Sequence, residues 1–151
     1  MIYSSTPPYE ILQNKLIDFV SMQRMRRFAR YWELVGNSGN FVETTPLIWS
    51  QASSPFQAFM GWSDWLHGQV RRTDGIALIR LAEFLFAFLT RELGLNPLST
   101  AQTLWRDYQR GGRMDVPGFL REYLPVATLP PRKTARSLGP KRQARHLAGQ
   151  R

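Results

Sequence analysis

An all-α fold, a compact bundle of five or six helices followed by a disordered basic tail, is the class this sequence predicts. Three observations carry that expectation. Apolar residues between positions 9 and 124 recur at helical spacing, and no alternating strand pattern stands out. Helix start and stop chemistry punctuates the same region, at Gly36-Asn37, Ser54-Pro55, Gly94, Asn96-Pro97 and Gly111-Gly112. Residues 76–93 place apolar side chains at almost every angle, the pattern of a central helix buried on all sides.

Taken in order, residues 1–8 read as a linker and residues 9–35 as one long or gently broken helix. Leu12 and Leu16 share a face near its start, and Phe28, Trp32 and Val35 share one near its end. Gly36-Asn37-Ser38-Gly39 stops it, because glycine and asparagine tolerate the positive φ of a helix C-cap. A short segment at 41–49 contains Pro46. Ser54 then offers a hydroxyl N-cap and Pro55 a first-turn proline whose missing N–H costs nothing, opening a helix over 55–70. The next helix begins after Asp74 and runs to Leu93, with Gly94 just beyond it. Asn96-Pro97 opens another that ends at Gly111-Gly112, and Asp115 is expected to cap a last short one through Tyr123.

The folded part, residues 9–124, should end near Leu124. Residues 125–151 hold seven basic side chains (Arg132, Lys133, Arg136, Lys141, Arg142, Arg145 and Arg151) and no acid, whereas residues 1–124 set thirteen bases against eleven acids. With Leu129, Leu138 and Leu147 as its only leucines, this stretch cannot bury enough surface to offset its ordering entropy. Disorder is the expectation there.

Composition narrows the chemistry. The 151 residues are 43% apolar and carry a net charge of +9, enough for one domain with a real core. With no cysteine, the chain can form no disulfide, thiolate zinc site or iron–sulfur ligation of its own, and it has no thiol nucleophile. Residues 1–8 lack the basic and apolar regions of a secretory signal. The uncharged window 44–63 is long enough to cross a bilayer, but Pro46, Pro55, two Gln and several Ser and Thr argue against insertion. The expectation is a soluble, cytoplasmic protein without a membrane partner.

No catalytic constellation emerges. Gly61-Trp62-Ser63-Asp64-Trp65 resembles a hydrolase elbow, yet its last position is tryptophan and it lies within a predicted helix, so Ser63 reads as helix surface. Asp64 and His67 share a helix face, but the other histidine, His146, lies in the tail, leaving a metal site short of ligands. Glu83 interrupts the most apolar helix, and Arg80 one turn earlier is positioned to form a buried or half-buried pair with it. Gly111-Gly112 lacks the Lys-Ser/Thr of a phosphate loop. Two basic clusters remain. One lies on the first helix (Arg24, Arg26, Arg27, Arg30), with Glu33 in reach of Arg30, and the other is the tail.

Met22-Gln23-Arg24-Met25-Arg26-Arg27-Phe28-Ala29-Arg30-Tyr31-Trp32-Glu33, continuing to Asn37-Ser38-Gly39-Asn40-Phe41, forms a long arginine–aromatic motif. Together with Ser54-Pro55-Phe56 and Lys141-Arg142-Gln143-Ala144-Arg145-His146-Leu147, it resembles the helical domain of unknown function at the C-terminal end of cobalamin-binding-domain radical SAM proteins. These are loosely relatives of the anaerobic magnesium-protoporphyrin monomethyl ester cyclase. Pro8-Tyr9-Glu10-Ile11-Leu12 resembles the segment by which such chains leave the radical SAM barrel. The resemblance implies a non-catalytic accessory domain that packs against the barrel or helps cover its substrate site. Its partners would be the barrel and the cobalamin-binding domain, in the same or an adjacent polypeptide. The [4Fe-4S] cluster, S-adenosylmethionine and cobalamin are implied for those other domains. None is implied for this chain, which lacks the Cys-x3-Cys-x2-Cys and Asp-x-His-x-x-Gly signatures.

On that reading Arg26, Arg27, Arg30, Tyr31, Trp32, Asn37 and Asn40 face the partner or its substrate, since arginine forks suit carboxylates and phosphates. The alternative is a stand-alone helical module that binds nucleic acid or an acidic partner through Arg132, Lys133, Arg136, Lys141, Arg142 and Arg145. A third reading, an independent hydrolase, rests on Ser63 alone. The first two separate on one measurement. Salt-sensitive binding to generic RNA or DNA that disappears on deletion of residues 125–151 is the outcome the tail reading requires, and binding that survives the deletion removes it.

Overall fold

The computed structural model describes residues 1–8 and 10–126. Among these residues the chain folds into four α-helices, with short 3-10 and π turns and one small hairpin. The all-α class is met. The expected disorder of the tail, its basic residues from Arg132 to Arg145, and Tyr9 lie outside the described residues.

The N-terminus departs from the long helix expected over 9–35. Strands β1 (Ile2–Tyr3) and β2 (Ile11–Gln13) pair antiparallel, Ile2 opposite Gln13 and Tyr3 opposite Ile11. The presumed linker therefore contains a strand. Helix α1 begins only at Phe19 and runs over Phe19–Val35. Two side chains account for the late start. Asn14 Oδ1 accepts from the amides of Leu16 and Ile17, each at 2.8 Å, closing a turn that competes with helix. Asp18 then caps α1 by accepting from the Ser21 amide at 2.7 Å. Leu16 consequently belongs to no helical face and is 93% exposed.

Helix α1 stops at Val35, as the glycine cluster predicts, although by another device. Gly36 keeps φ at −71° and the positive φ falls at Gly39. Glycine is needed at 36 for space, because a Cβ there would lie 2.6 Å from the Trp32 ring. The 3-10 turn Thr45–Trp49 follows, with Pro46 in its first turn.

Helix α2 (Pro55–Val70) starts as predicted, with Ser54 Oγ accepting from the Gln57 amide at 3.3 Å. It ends at Arg71, a non-glycine residue in the left-handed conformation (φ 51°). Helix α3 (Leu78–Ala87) widens into a π turn over Phe88–Glu92, where the Leu93 amide reaches back to the Phe88 carbonyl. This element is less enclosed than its composition suggests. Leu81, Ala82, Leu85, Phe86, Phe88 and Leu89 are buried, but Ile79 is exposed and the Arg80–Glu83 pair, 2.5 Å apart, sits at the surface rather than in the interior. Helix α4 (Pro97–Arg110) opens with Asn96 accepting from the Ser99 amide. Asp115 does not cap the last element, a 3-10 turn at Gly118–Tyr123 entered from Pro117 without a side-chain cap. Leu124 is buried while Pro125 and Val126 are exposed.

The core is one cluster joining all four helices, with Tyr31, Phe41, Phe59, Trp62, Leu66, Leu85, Leu89, Leu104 and Leu120 almost wholly enclosed. One carboxylate lies within it. Asp107 follows Thr100 and Leu104 along the buried stripe of α4. It accepts from the Glu43 and Thr44 amides (3.0 and 2.8 Å) and from Thr44 Oγ1 (2.7 Å), and it pairs with Arg110 at 2.5 Å. Glu43 in turn binds Arg106 and Arg110, whose guanidinium groups hold its carboxyl below the usual range. Asp107 thus acts as a crosslink between α4 and the α1–α2 connection.

Replacing Asp107 with Ala should destabilise the fold by about 1–3 kcal/mol for each amide left without an acceptor. Arg110→Ala, which leaves the amide and hydroxyl donors to Asp107 in place, should cost less than the Asp107 variant. Urea denaturation of the two variants against the parent checks the ordering.

Candidate functional site

The α1 arginines were the sequence's candidates, and the structure sorts them by what they touch. Positions 24, 27 and 30 fall three residues apart, which aligns them in a row along one side of α1, over the C-terminal half of α2. Arg24 grips Asp64 through Nε at 2.8 Å and Nη2 at 2.6 Å. Arg27 reaches the other Asp64 oxygen only at 3.9 Å, and its Nε–H is buried without an acceptor in the protein. Arg30 donates from Nε to the Thr73 carbonyl at 3.3 Å, tying α1 to the α2–α3 connection. The expected Arg30–Glu33 pair does not form. Glu33 instead accepts from Asn37 Nδ2 at 2.8 Å.

Tyr31 and Trp32 do not face outward. Tyr31 is fully enclosed, its ring edge-on to Trp62, and its hydroxyl donates to the Arg72 carbonyl at 2.7 Å. Trp32 packs edge-on against Phe59 and near Trp49. The reason is geometric. Phe28, Tyr31, Trp32 and Val35 occupy i, i+3, i+4 and i+7, one continuous core-facing stripe on which Tyr31 and Val35 are buried and Phe28 and Trp32 are partly buried against the core. Arg26 is exposed and pairs with Glu10 beside the hairpin. Asn37 is exposed on the turn after α1, and the half-buried Asn40 donates its amide to Ser38 Oγ at 3.2 Å.

Ser63, expected on the helix surface, is fully buried, because Phe59, Trp62, Ser63 and Leu66 form the core stripe of α2. Its Oγ has no hydrogen-bond partner in the protein. The neighbouring Asp64 is committed to Arg24, and His67 Nδ1 lies 3.4 Å from the Tyr31 hydroxyl. That hydroxyl already donates to Arg72, so toward His67 it has only acceptor capacity left. Burial, followed by the charges of Arg27 and Arg71, pushes the imidazole pKa below its ordinary value. Burial raises that of Tyr31 and keeps its phenol protonated. The serine, aspartate and histidine are therefore parts of the α1–α2 seam and make no relay. Among the described residues no group of three potential metal ligands assembles, and no helix is long and apolar enough to cross a membrane.

Two features had little signal in the sequence. Arg71, more than forty residues from Arg27 in sequence, acts with it on the His67 ring. A groove of about 250 Å³ also opens between α2, α3 and the last 3-10 turn, with Trp65, Phe84, Phe119, Tyr123, Arg80 and Arg91 among its lining residues. Its wall comes from three separate segments, so no local motif announces it.

The family model described as "Protein of unknown function (DUF4080)" matches residues 1–128. No curated protein and no solved structure matches the chain.

The depressed His67 pKa sets a pH dependence. The unfolded imidazole, at about 6.5, binds protons that the folded one refuses. The resulting stability is complete above about pH 6.5 and is lost as pH falls from there through the folded value. Urea midpoints between about pH 7.5 and 5 should show this decline, and His67→Gln should flatten it.

Proposed function

The chain belongs to the DUF4080 family, and from that premise we propose that it is a non-catalytic helical accessory domain of a cobalamin-dependent radical SAM protein. In this reading it packs against the barrel and helps to cover the substrate site. The arginine–aromatic motif and the Pro8–Leu12 segment support the connection to such proteins. The observation that carries the packing role is the distribution of exposed apolar surface. Ile2, Tyr3, Leu16, Phe19, Val20 and Met25, each between 45% and 93% exposed, lie along the hairpin, the turn after it and the first turns of α1. Large apolar side chains left together in water mark a surface that a partner covers. This surface adjoins the segment that resembles the exit from the barrel, and Arg26 with Glu10 flanks it with charge.

The accessory role asks little chemistry of these residues. The helices present a rigid wall, the apolar end supplies the contact, and cluster, S-adenosylmethionine and cobalamin chemistry belongs to the partner domains.

The reading has two checks. The reading frame containing this chain, or an adjacent one, should encode a Cys-x3-Cys-x2-Cys triplet. A photo-crosslinker at Val20 of the full chain, co-expressed with that cluster-bearing polypeptide, should capture the barrel far more efficiently than one at the equally exposed Met114. Absence of the triplet, or equal capture at both positions, overturns the assignment.

A further inference from the structure

We propose that the groove between α2, α3 and the Gly118–Tyr123 turn binds an extended proline-rich segment, and that its occupant is the chain's own Leu129-Pro130-Pro131-Arg132-Lys133. The inference goes beyond the accessory role and does not depend on whether the hairpin surface meets a barrel.

The groove has a form that an extended chain fits. Its cavity of about 250 Å³ shares Gln69, Arg80 and Phe84 with a second recess of about 280 Å³ that continues to Val70 and Ile76. Two recesses with a common wall make a trough rather than a closed pocket. Trp65, Phe84, Phe119 and Tyr123 line it, and each is half-buried. Contacts behind these rings hold them in place. Trp65 meets Phe84 edge-on at 6.1 Å and Phe88 at 5.3 Å, and Tyr123 meets Phe86 at 5.2 Å. Rings fixed on one side and open on the other are platforms for stacking. The lining charges balance. Arg80 is matched by Glu83 at 2.5 Å and lies over the Phe84 ring. Arg91 and Glu122, one cation and one anion, form no ion pair among the described residues. A balanced trough with aromatic walls is built for ring contact and shape, not for a small, strongly charged ion.

Three observations point to residues 129–133 as the occupant. The first is where the chain goes. Glu122 and Tyr123 belong to the groove wall, and the described residues end just beyond them at Val126, which is 84% exposed. The stretch from Tyr123 to Leu129 reaches at most about 20 Å, enough to return across a groove that Tyr123 itself lines. The second is the proline pair. Pro130 and Pro131 restrict φ and bias Leu129 toward extended backbone, which favours a polyproline II segment whose carbonyls lack internal partners. Aromatic-lined grooves take such segments at low entropic cost. Trp65 and Gln69 add indole and amide N–H donors for the carbonyls. The third is charge. Arg132 and Lys133 follow the prolines, and the groove offers them Glu122 and the C-terminal end of α2 at Gln69, whose partial negative charge favours cations. Tethering completes the case. A ligand on so short a connection has an effective concentration on the order of millimolar, so a shallow groove suffices.

The test compares the full chain with its Pro130→Gly, Pro131→Gly double variant by proton–nitrogen NMR. Glycine keeps every charge but removes the extended preference and raises the cost of ordering the segment. The Trp65 indole and Gln69 side-chain amide signals, more than sixty residues away in sequence, are expected to shift, while the buried Trp105 indole stays in place. A synthetic peptide of residues 129–136 added to the double variant should restore the parent's signals. About tenfold more peptide should be needed to perturb the parent, whose groove is already filled. Unchanged Trp65 and Gln69 signals in the variant, failure of the peptide to restore them, or an equal response of parent and variant to the peptide overturns the proposal. Differences that fade on dilution assign the groove to the same segment of a second copy and overturn the intramolecular occupant.

Discussion

The seam between α1 and α2 is the contact on which the rest of the molecule depends. Phe28 and Trp32 each stand 5.0 Å from Phe59 with their rings near perpendicular, and Tyr31 meets Trp62 edge-on at 6.0 Å. Edge-to-face pairs of this kind add to the burial of their large apolar areas and fix the rotation of each helix about its axis. That rotation has chemical consequences. With the aromatic stripe turned inward, Arg24, Arg27 and Arg30 lie over Asp64 and the His67 turn, and Tyr31 Oη reaches the Arg72 carbonyl. The same packing puts Ser63 in the interior, where it can attack nothing.

The arginines divide into two kinds of work. Arg106 and Arg110 serve the fold, closing the network that fastens Glu43, Thr44 and Asp107 across more than sixty residues of sequence. Arg24 and Arg26 are likewise matched to Asp64 and Glu10. Arg27 and Arg30 have no comparable carboxylate partner: Arg27 approaches Asp64 only at 3.9 Å, and Arg30 donates to the Thr73 carbonyl. Overall charge could not have separated the groups, because seventeen arginines spread along the chain look alike until their partners are known.

Much of the fold was legible where a local side-chain interaction decides the conformation. Ser54-Pro55 and Asn96-Pro97 start helices because a short polar side chain satisfies an amide three residues ahead. The same chemistry at Asn14 and Asp18 was present in the sequence, but the apolar spacing of Leu12 and Leu16 obscured it. Hydrophobic period is a weaker witness than a cap when the segment is short. The site was less legible. Tyr31 and Trp32 looked like recognition residues because of the arginines around them, although their spacing from Phe28 and Val35 already placed them on the buried stripe. Asp107 offered a similar clue, an acid in register with Thr100 and Leu104.

The sequence by itself determined the helical class, the positions of most helix starts and the absence of thiol-based chemistry in this chain, since each follows from residue type or from contacts within one turn. Tertiary structure alone decided which arginines are paired and that Ser63 is enclosed. Those facts depend on how two helices are rotated against each other, and that rotation is set by interlocking side chains far apart in the sequence, such as Phe28 with Phe59 and Tyr31 with Trp62, which no local pattern encodes.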